Sequence, residues 1–264
     1  MILHPFPPGL EPTCNGLHAY AQAVGAVART HAVVHPNWWH LGLTVRPDGL
    51  VTVPIPLDSG GTLAVRFDPA AAAVEAVSSG GEEVAIGLDG ATPTELAEEL
   101  IRFVARCGLA GDLDLGRVPP GPVEVDWDVA AAYTATLIDI ERTLEQHRVT
   151  LGTAAGPLLV WPHGFDLSFE WFGTRMVAGE DGEAPAQLNL GFSPFHGGYF
   201  YSNPWPFDEA LVDTPLPDGA SWHLDGWQGT ILPYDQVGGL EDGADRVLAY
   251  AAAVHRVARP TLDA

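Results

Sequence analysis

One continuous stretch, residues 158–207, constrains the fold more than any other part of the chain. It alternates runs of aromatic and branched residues, which favour β-strands, with short irregular segments rich in Pro and Gly. An acidic loop is expected at 178–186. The pattern predicts strands at 158–160, 165–172, 187–192 and 199–202.

The first half of the chain predicts a helix, a block of antiparallel strands and a second helix. After a Pro-rich arm, Thr13 is a suitable cap for a helix with one apolar face. Residues 38–45 are typical of a strand, and turn signals then separate further short strands as far as residue 88. Thr92 and Glu95 form a capping box that starts the next helix.

The second half predicts the same order of elements. A Gly-, Pro- and Asp-rich segment is followed by Asp128, which we expect to cap a helix, then by the strands above and a closing helix. We therefore expect an α+β fold of antiparallel sheets flanked by helices, a duplicated unit about a pseudo-twofold axis. The predicted boundaries are an arm at 1–12, a first repeat at 13–108, a linker at 109–126 and a second repeat at 127–264.

Charge and composition exclude some functional classes. The chain has 264 residues and a formal charge of −22, and all twelve basic residues are arginine. Such a field repels phosphate backbones and anionic lipids, so neither nucleic acid nor a membrane is an expected partner. The N-terminus has no basic region followed by a long apolar run, and we expect a cytoplasmic protein. Oligomeric state is not encoded in any pattern we find.

Histidine and aspartate residues suggest a metal site. Imidazole and carboxylate are the ligands that zinc or non-haem iron sites use, and His40, His163, Asp166 and His196 are the candidates. Their spacing matches no known metal motif, so the alternative is a set of hydrogen-bonded structural residues. His163, Asp166 and His196 are also the candidates for acid–base catalysis.

Aromatic residues cluster around the same stretch. Aromatic walls with a few polar groups are typical of small-molecule pockets, although large rings also fill ordinary cores. The predicted ligand-binding residues are Trp39, His40, Trp161, His163, Asp166, Ser193, His196, Tyr199, Tyr201 and Trp205.

Two runs give the chain a family resemblance. These are Trp-Pro-His…Phe-Asp-Leu at 161–167 and Ser-Pro…Tyr-Phe-Tyr…Pro-Trp-Pro at 193–206. With other pieces between residues 17 and 258, they resemble an uncharacterised bacterial family known only as a domain of unknown function. The resemblance supports the architecture and implies no reaction. Gly164 and the 195–197 segment depart from the pattern of that family.

These observations favour a small-molecule-binding protein, with or without catalysis, whose pocket lies beside 161–166 and 193–205. One alternative is a metal-dependent enzyme that uses the His and Asp candidates. Another is a non-catalytic interaction protein, which would present a large apolar surface instead of a pocket.

Overall fold

The capping box predicted at Thr92 and Glu95 is present in the computed structural model, which describes residues 2–179 and 182–264. The Thr92 hydroxyl accepts a hydrogen bond of 3.1 Å from the Glu95 backbone N–H. The Glu95 carboxylate in turn accepts one of 2.7 Å from the Thr92 N–H. Both contacts satisfy N–H groups at the start of a helix, as the sequence predicted.

The chain divides into two compact units. The N-terminal unit contains Phe6–Ile138 and Leu159–Phe165. The C-terminal unit contains Met1–Pro5, Asp139–Leu158 and Asp166–Ala264.

The N-terminal unit combines helices with an antiparallel sheet. The elements are α1 (Leu10–His31), β1 (Thr44–Arg46), β2 (Gly49–Val51), β3 (Ile55–Pro56), β4 (Thr62–Asp68), β5 (Ala73–Ser78), β6 (Glu83–Gly87), α2 (Pro93–Arg106), the first part of α3 (Trp127–Arg148) and β7 (Leu159–Trp161). The strands of the sheet are ordered β1-β2-β4-β5-β6, with β3 also paired to β4, and the helix α1 packs against α2, β3 and β4.

Three local predictions for this unit are wrong. The predicted strand at 38–45 is a short 3-10 turn, Trp39–Leu41, followed only by the three-residue strand β1. Asp128 was expected to cap α3, but the cap is Asp126. The Asp126 carboxylate accepts hydrogen bonds from two backbone N–H groups at the start of the helix, including that of Asp128. Helix α1 also starts earlier than expected, within the arm predicted at 1–12.

The C-terminal unit has a second antiparallel sheet. Its elements are the end of α3, β8 (Asp166–Gly179), β9 (Gly182–Ser193), β10 (Tyr199–Trp205), β11 (Ser221–His223), β12 (Gly229–Pro233) and α4 (Gly243–Leu262). The strands are in the order β11-β12-β10-β9-β8, and α4 packs against β8, β9 and β10. The predicted loop at 178–186 is instead the ends of β8 and β9, apart from Glu180 and Asp181, which lie outside the described residues.

One face of this sheet forms the core beneath α4. The Tyr250 and Thr230 hydroxyls lie 2.7 Å apart, as do those of Thr230 and Ser202. Because side chains alternate along a strand, the residues in register with Ser202 point the same way. Leu190 and Phe169 are paired in that register and are buried.

The fold is therefore α+β with two antiparallel sheets. The order helix, strands, helix occurs in both halves, but the sheets differ in connection, because β12 lies between β10 and β11 in the second. The duplication and its pseudo-twofold axis stay predictions. In the described part of the chain, no helix is both long and apolar enough to cross a membrane.

Candidate functional site

The predicted site residues fall into two groups. Trp39, His40, Trp161 and His163 belong to the N-terminal unit, and Asp166, Ser193, His196, Tyr199, Tyr201 and Trp205 belong to the C-terminal unit.

In the N-terminal group, His40 has a local structural role. Its Nδ1 accepts a hydrogen bond of 3.1 Å from the His35 backbone N–H, and its ring stacks on Trp38 at 5.9 Å between centroids. Burial lowers the pKa of His40, with a smaller contribution from His35. Trp39 stacks on the His35 ring at 4.3 Å. These contacts hold the 3-10 turn that replaces the expected strand.

Trp161 and His163 lie at the turn after β7. Trp161 is buried, whereas His163 is exposed, and their rings meet edge to face with centroids 6.0 Å apart. The expected irregularity is present, because Phe165 has a φ of 54°. His163 is thus at the surface of a tight turn.

The C-terminal group is organised by the face of the second sheet opposite α4. Register pairs Ser168 on β8 with Gly191 on β9, and Gly191 with Tyr201 on β10. Asp166 lies two residues before Ser168 and so points to the same face. Four residues from three strands therefore form one neighbourhood.

Within this neighbourhood, the Tyr201 hydroxyl donates a hydrogen bond to Oδ2 of Asp166. Burial raises the pKa of Tyr201 well above its ordinary value, the negative charge of Asp166 raises it further, and a hydrogen bond with Ser168 opposes the shift. Tyr201 therefore stays a neutral donor at physiological pH. The contact fixes one oxygen of the Asp166 carboxylate on this face.

Gly191 makes the contact possible. The Tyr201 side chain must pass over β9 to reach β8, and Gly191 is the residue of β9 that lies between them. A Cβ added at Gly191 would lie 2.4 Å from the Ser168 Cβ and 2.5 Å from the Leu167 carbonyl oxygen. The absence of a side chain at this position keeps the three strands close and leaves the path open.

Aromatic rings surround the Asp166–Tyr201 pair. The Tyr201 ring lies 6.3 Å from Tyr199 and 6.1 Å from Trp227, measured between centroids. Trp227 lies in turn 4.3 Å from the ring of His223 on β11. All four rings are partly exposed, so the face offers flat apolar surface next to a carboxylate.

A second row of polar residues lies beside this cluster. Register pairs Glu170 with Asn189, and Asn189 with Asn203. The Asn203 amide donates a hydrogen bond to the Gln228 carbonyl. The Asn189 Oδ1 is buried and has no hydrogen-bond partner among the described residues. Together with Asp166, this row makes the face rich in hydrogen-bond acceptors.

The remaining candidates lie at the edges of this arrangement. The buried Ser193 hydroxyl accepts a hydrogen bond of 3.4 Å from the Phe195 N–H, which shapes the loop after β9. His196 is exposed on that loop with a φ of 55°. Trp205 ends β10 and pairs with Gln187. Ser193 and His196 thus shape or occupy a loop, and Trp205 extends the aromatic face.

Comparison with known proteins identifies a family. The model of a family of unknown function, DUF5996, matches residues 8–262. The chain belongs to this family. Neither the curated proteins nor the solved structures contain a match.

The metal centre suggested by the sequence stays a prediction for this DUF5996 member. Among the described residues, no three His, Cys, Asp or Glu side chains are grouped so that they could hold a metal ion. The set of His40, His163, Asp166 and His196 is therefore not supported as a metal site.

Sequence reasoning also missed several residues of the DUF5996 sheet face. Ser168 and Asn189 are inside strands, and a polar residue at alternate positions of a strand indicates its face but not its neighbours. His223 lies on a three-residue strand, too short to show which face its side chain takes. The pairing of strands brings these residues to Tyr201.

Proposed function

We propose that this protein binds a small organic molecule on the sheet face around Asp166 and Tyr201. The supporting observation is the Asp166–Tyr201 hydrogen bond beside the partly exposed rings of Trp227 and His223. Flat apolar surface with a few fixed polar groups is what ligand sites offer. The proposal covers binding and does not extend to a reaction.

The chemistry of the face indicates the class of ligand. Asp166, Glu170 and the Asn189 Oδ1 supply acceptors, so a ligand that donates hydrogen bonds is favoured. The rings favour a ligand with a flat ring of its own. The formal charge of −22 disfavours anions. We therefore propose a ring-bearing amine, cationic or neutral.

A thermal-shift screen tests this proposal. Ring-bearing amines, ring-bearing polyols and ring-bearing carboxylates would be compared on wild-type protein, and binding confirmed by calorimetry. We expect the amines to raise the melting temperature. Asp166→Asn should weaken binding at least about tenfold, since losing a hydrogen bond to a charged group costs ~1.5 kcal/mol or more. Trp227→Leu should weaken it several-fold, since losing an aromatic pair costs ~0.5–1.5 kcal/mol.

Trp38→Leu is the matched control, because it removes a tryptophan that is 58% exposed in the N-terminal unit. It should leave affinity unchanged. The proposal would be contradicted if the screen found no amine that binds. It would also be contradicted if an amine bound equally well to wild type and to both site variants.

We also propose that the protein acts in the cytoplasm. The support is that Cys14 and Cys107 are both free thiols, which suits a reducing compartment. Fractionation of the source cells tests this, and recovery of the protein outside the cytoplasmic fraction would contradict it.

A further inference from the structure

Two histidines of the C-terminal unit lie together on the α4 side of the sheet. His147 is in the last turn of α3, and His255 is on α4. Their ring centroids are 6.2 Å apart, with the rings inclined at 67°. Trp171 packs edge to face on His255 at 4.6 Å. Trp171 is in register with Leu188 on the core side of the sheet. The two histidines therefore lie on the other side of the sheet from the Asp166–Tyr201 face.

In each of these two rings, one nitrogen makes no hydrogen bond to any described residue. The Nε2 atoms of His147 and His255 are buried and have no hydrogen-bond partner in the described part of the chain. His147 is only 6% exposed. A buried polar atom left without a partner is destabilising. Two such atoms in neighbouring rings are available to bind one group together.

A cavity of about 540 Å³ adjoins both rings, with Gln146 and Thr150 among its polar lining residues. The cavity gives solvent access to the neighbourhood of the pair. The two Nε2 atoms themselves are shielded from water, so side chains at the cavity wall must move before any group reaches them. A single ion with its solvent ligands needs less movement than an organic ligand.

The separation of the rings suits a metal. Bonds of ~2.0–2.1 Å from one ion to two ring nitrogens, with the extent of each ring added, reach the observed separation of the centroids when the nitrogens lie on nearly opposite sides of the ion, as square-planar Cu²⁺ allows.

The surroundings also favour a cation. The carbonyl groups at the C-terminal end of α3 carry partial negative charge, and His147 lies in that last turn. The chain as a whole has a formal charge of −22. Both effects raise the local concentration of cations. The positive charge of Arg259, which acts on His255, is paired with the Asp263 carboxylate at 2.9 Å.

We propose that His147 and His255 together bind one late first-row transition metal ion through their Nε2 atoms. Imidazole ligands suit Cu²⁺, Zn²⁺ and Ni²⁺, with Cu²⁺ bound most tightly of the three. Two protein ligands leave positions for solvent, which enters from the cavity. The site is independent of the amine site and does not rest on it.

Metal titration of protein without a histidine tag, stripped with a chelator, tests the proposal. Calorimetry with Cu²⁺ and Zn²⁺ should give one strong site per chain. His147→Phe and His255→Phe keep a ring of similar size but remove the nitrogens. Each should weaken that site at least about tenfold, because even residues that only orient metal ligands change affinity 10- to 100-fold. His163→Phe removes an exposed imidazole elsewhere and should change nothing.

Paramagnetic resonance of wild-type protein with one equivalent of Cu²⁺ does not depend on the folding of any variant. It should show coupling to two imidazole nitrogens. Absence of a stoichiometric site, equal affinity in the His147 and His255 variants, or coupling to no more than one imidazole would each overturn the assignment.

Discussion

Tyr201 reaches across β9 to donate a hydrogen bond to Oδ2 of Asp166 on β8. The contact joins two strands that do not pair with each other, so it ties the middle of the sheet together on the face opposite α4. A hydrogen bond to a carboxylate is stronger than one between neutral groups. The pair is therefore expected to matter for stability as well as for binding.

A double-mutant cycle measures this contribution. Tyr201→Phe should lower the free energy of unfolding by ~1.5–3 kcal/mol, the range for hydrogen bonds to charged groups. Asp166→Asn should also destabilise, and the double variant should lose less than the sum, with a coupling energy of at least ~0.5 kcal/mol. Urea unfolding gives all four values. Additive losses would show that the two side chains do not interact in solution.

Tyr199→Phe is the control for that cycle, since it removes a hydroxyl from the same face of the same strand. Paired with Asp166→Asn, it should show no coupling.

Gly191→Ala should disturb the same region through its backbone. The added methyl group would lie 2.4 Å from the Ser168 Cβ, so the strands must move apart. We expect a loss of ~1–3 kcal/mol, as for other overpacked sites. Gly87→Ala in β6 is the control, because a Cβ there meets nothing within 4 Å. Thermal unfolding of both variants measures the loss of stability in each. An equal loss in the two variants would refute the steric explanation.

Periodicity predicted the helices and most strands, because apolar spacing and caps are local signals. Leu96, Leu100, Phe103 and Val104, which have the three- and four-residue spacing of one helical face, are fully buried in α2. The segment beginning at Trp38 was misread because aromatic residues favour strands in general. Here Trp38 adopts a left-handed φ of 60°. Trp39 stacks on His35 and Trp38 stacks on His40, and these contacts stabilise the turn instead.

The candidate site was only partly predictable. Asp166, Tyr199 and Tyr201 were identified as polar and aromatic residues in an irregular stretch. Nothing in the sequence gives the register of β8 on β9 or of β9 on β10, and that register alone brings Asp166 to Tyr201. His147 and His255 were overlooked because each lies on an amphipathic helix, where a single inward histidine resembles an ordinary core residue.

Thr92→Ala should destabilise the N-terminal unit by ~1 kcal/mol. The Thr92 hydroxyl accepts from the Glu95 N–H at 3.1 Å, and alanine leaves that group without its partner. Thr94→Ala, two residues along in the first turn, keeps the capping box and serves as the control. Chemical denaturation followed by circular dichroism measures both, and equal stability of the two variants would contradict the assigned cap.

Alkaline pH should destabilise the protein through tyrosines whose pKa values are raised in the folded state. The pKa of Tyr201 is raised by burial and by Asp166, so the hydroxyl ionises more easily in the unfolded chain than in the folded one. Above the ordinary tyrosine pKa of ~10, the unfolded state therefore binds fewer protons, and stability falls as pH rises. The stabilisation is fully present below that pH.

Burial also raises the pKa values of Tyr20, Tyr234 and Tyr250, so they add to the same slope. Tyr201→Phe should make the fall of unfolding free energy above pH ~10 shallower by up to ~1.4 kcal/mol per pH unit, the effect of one proton. Urea unfolding between pH 8 and about pH 11 gives the slopes, with the pH range chosen around the ordinary tyrosine pKa. If wild type and variant lose stability in parallel, Tyr201 is not the buried donor to Asp166.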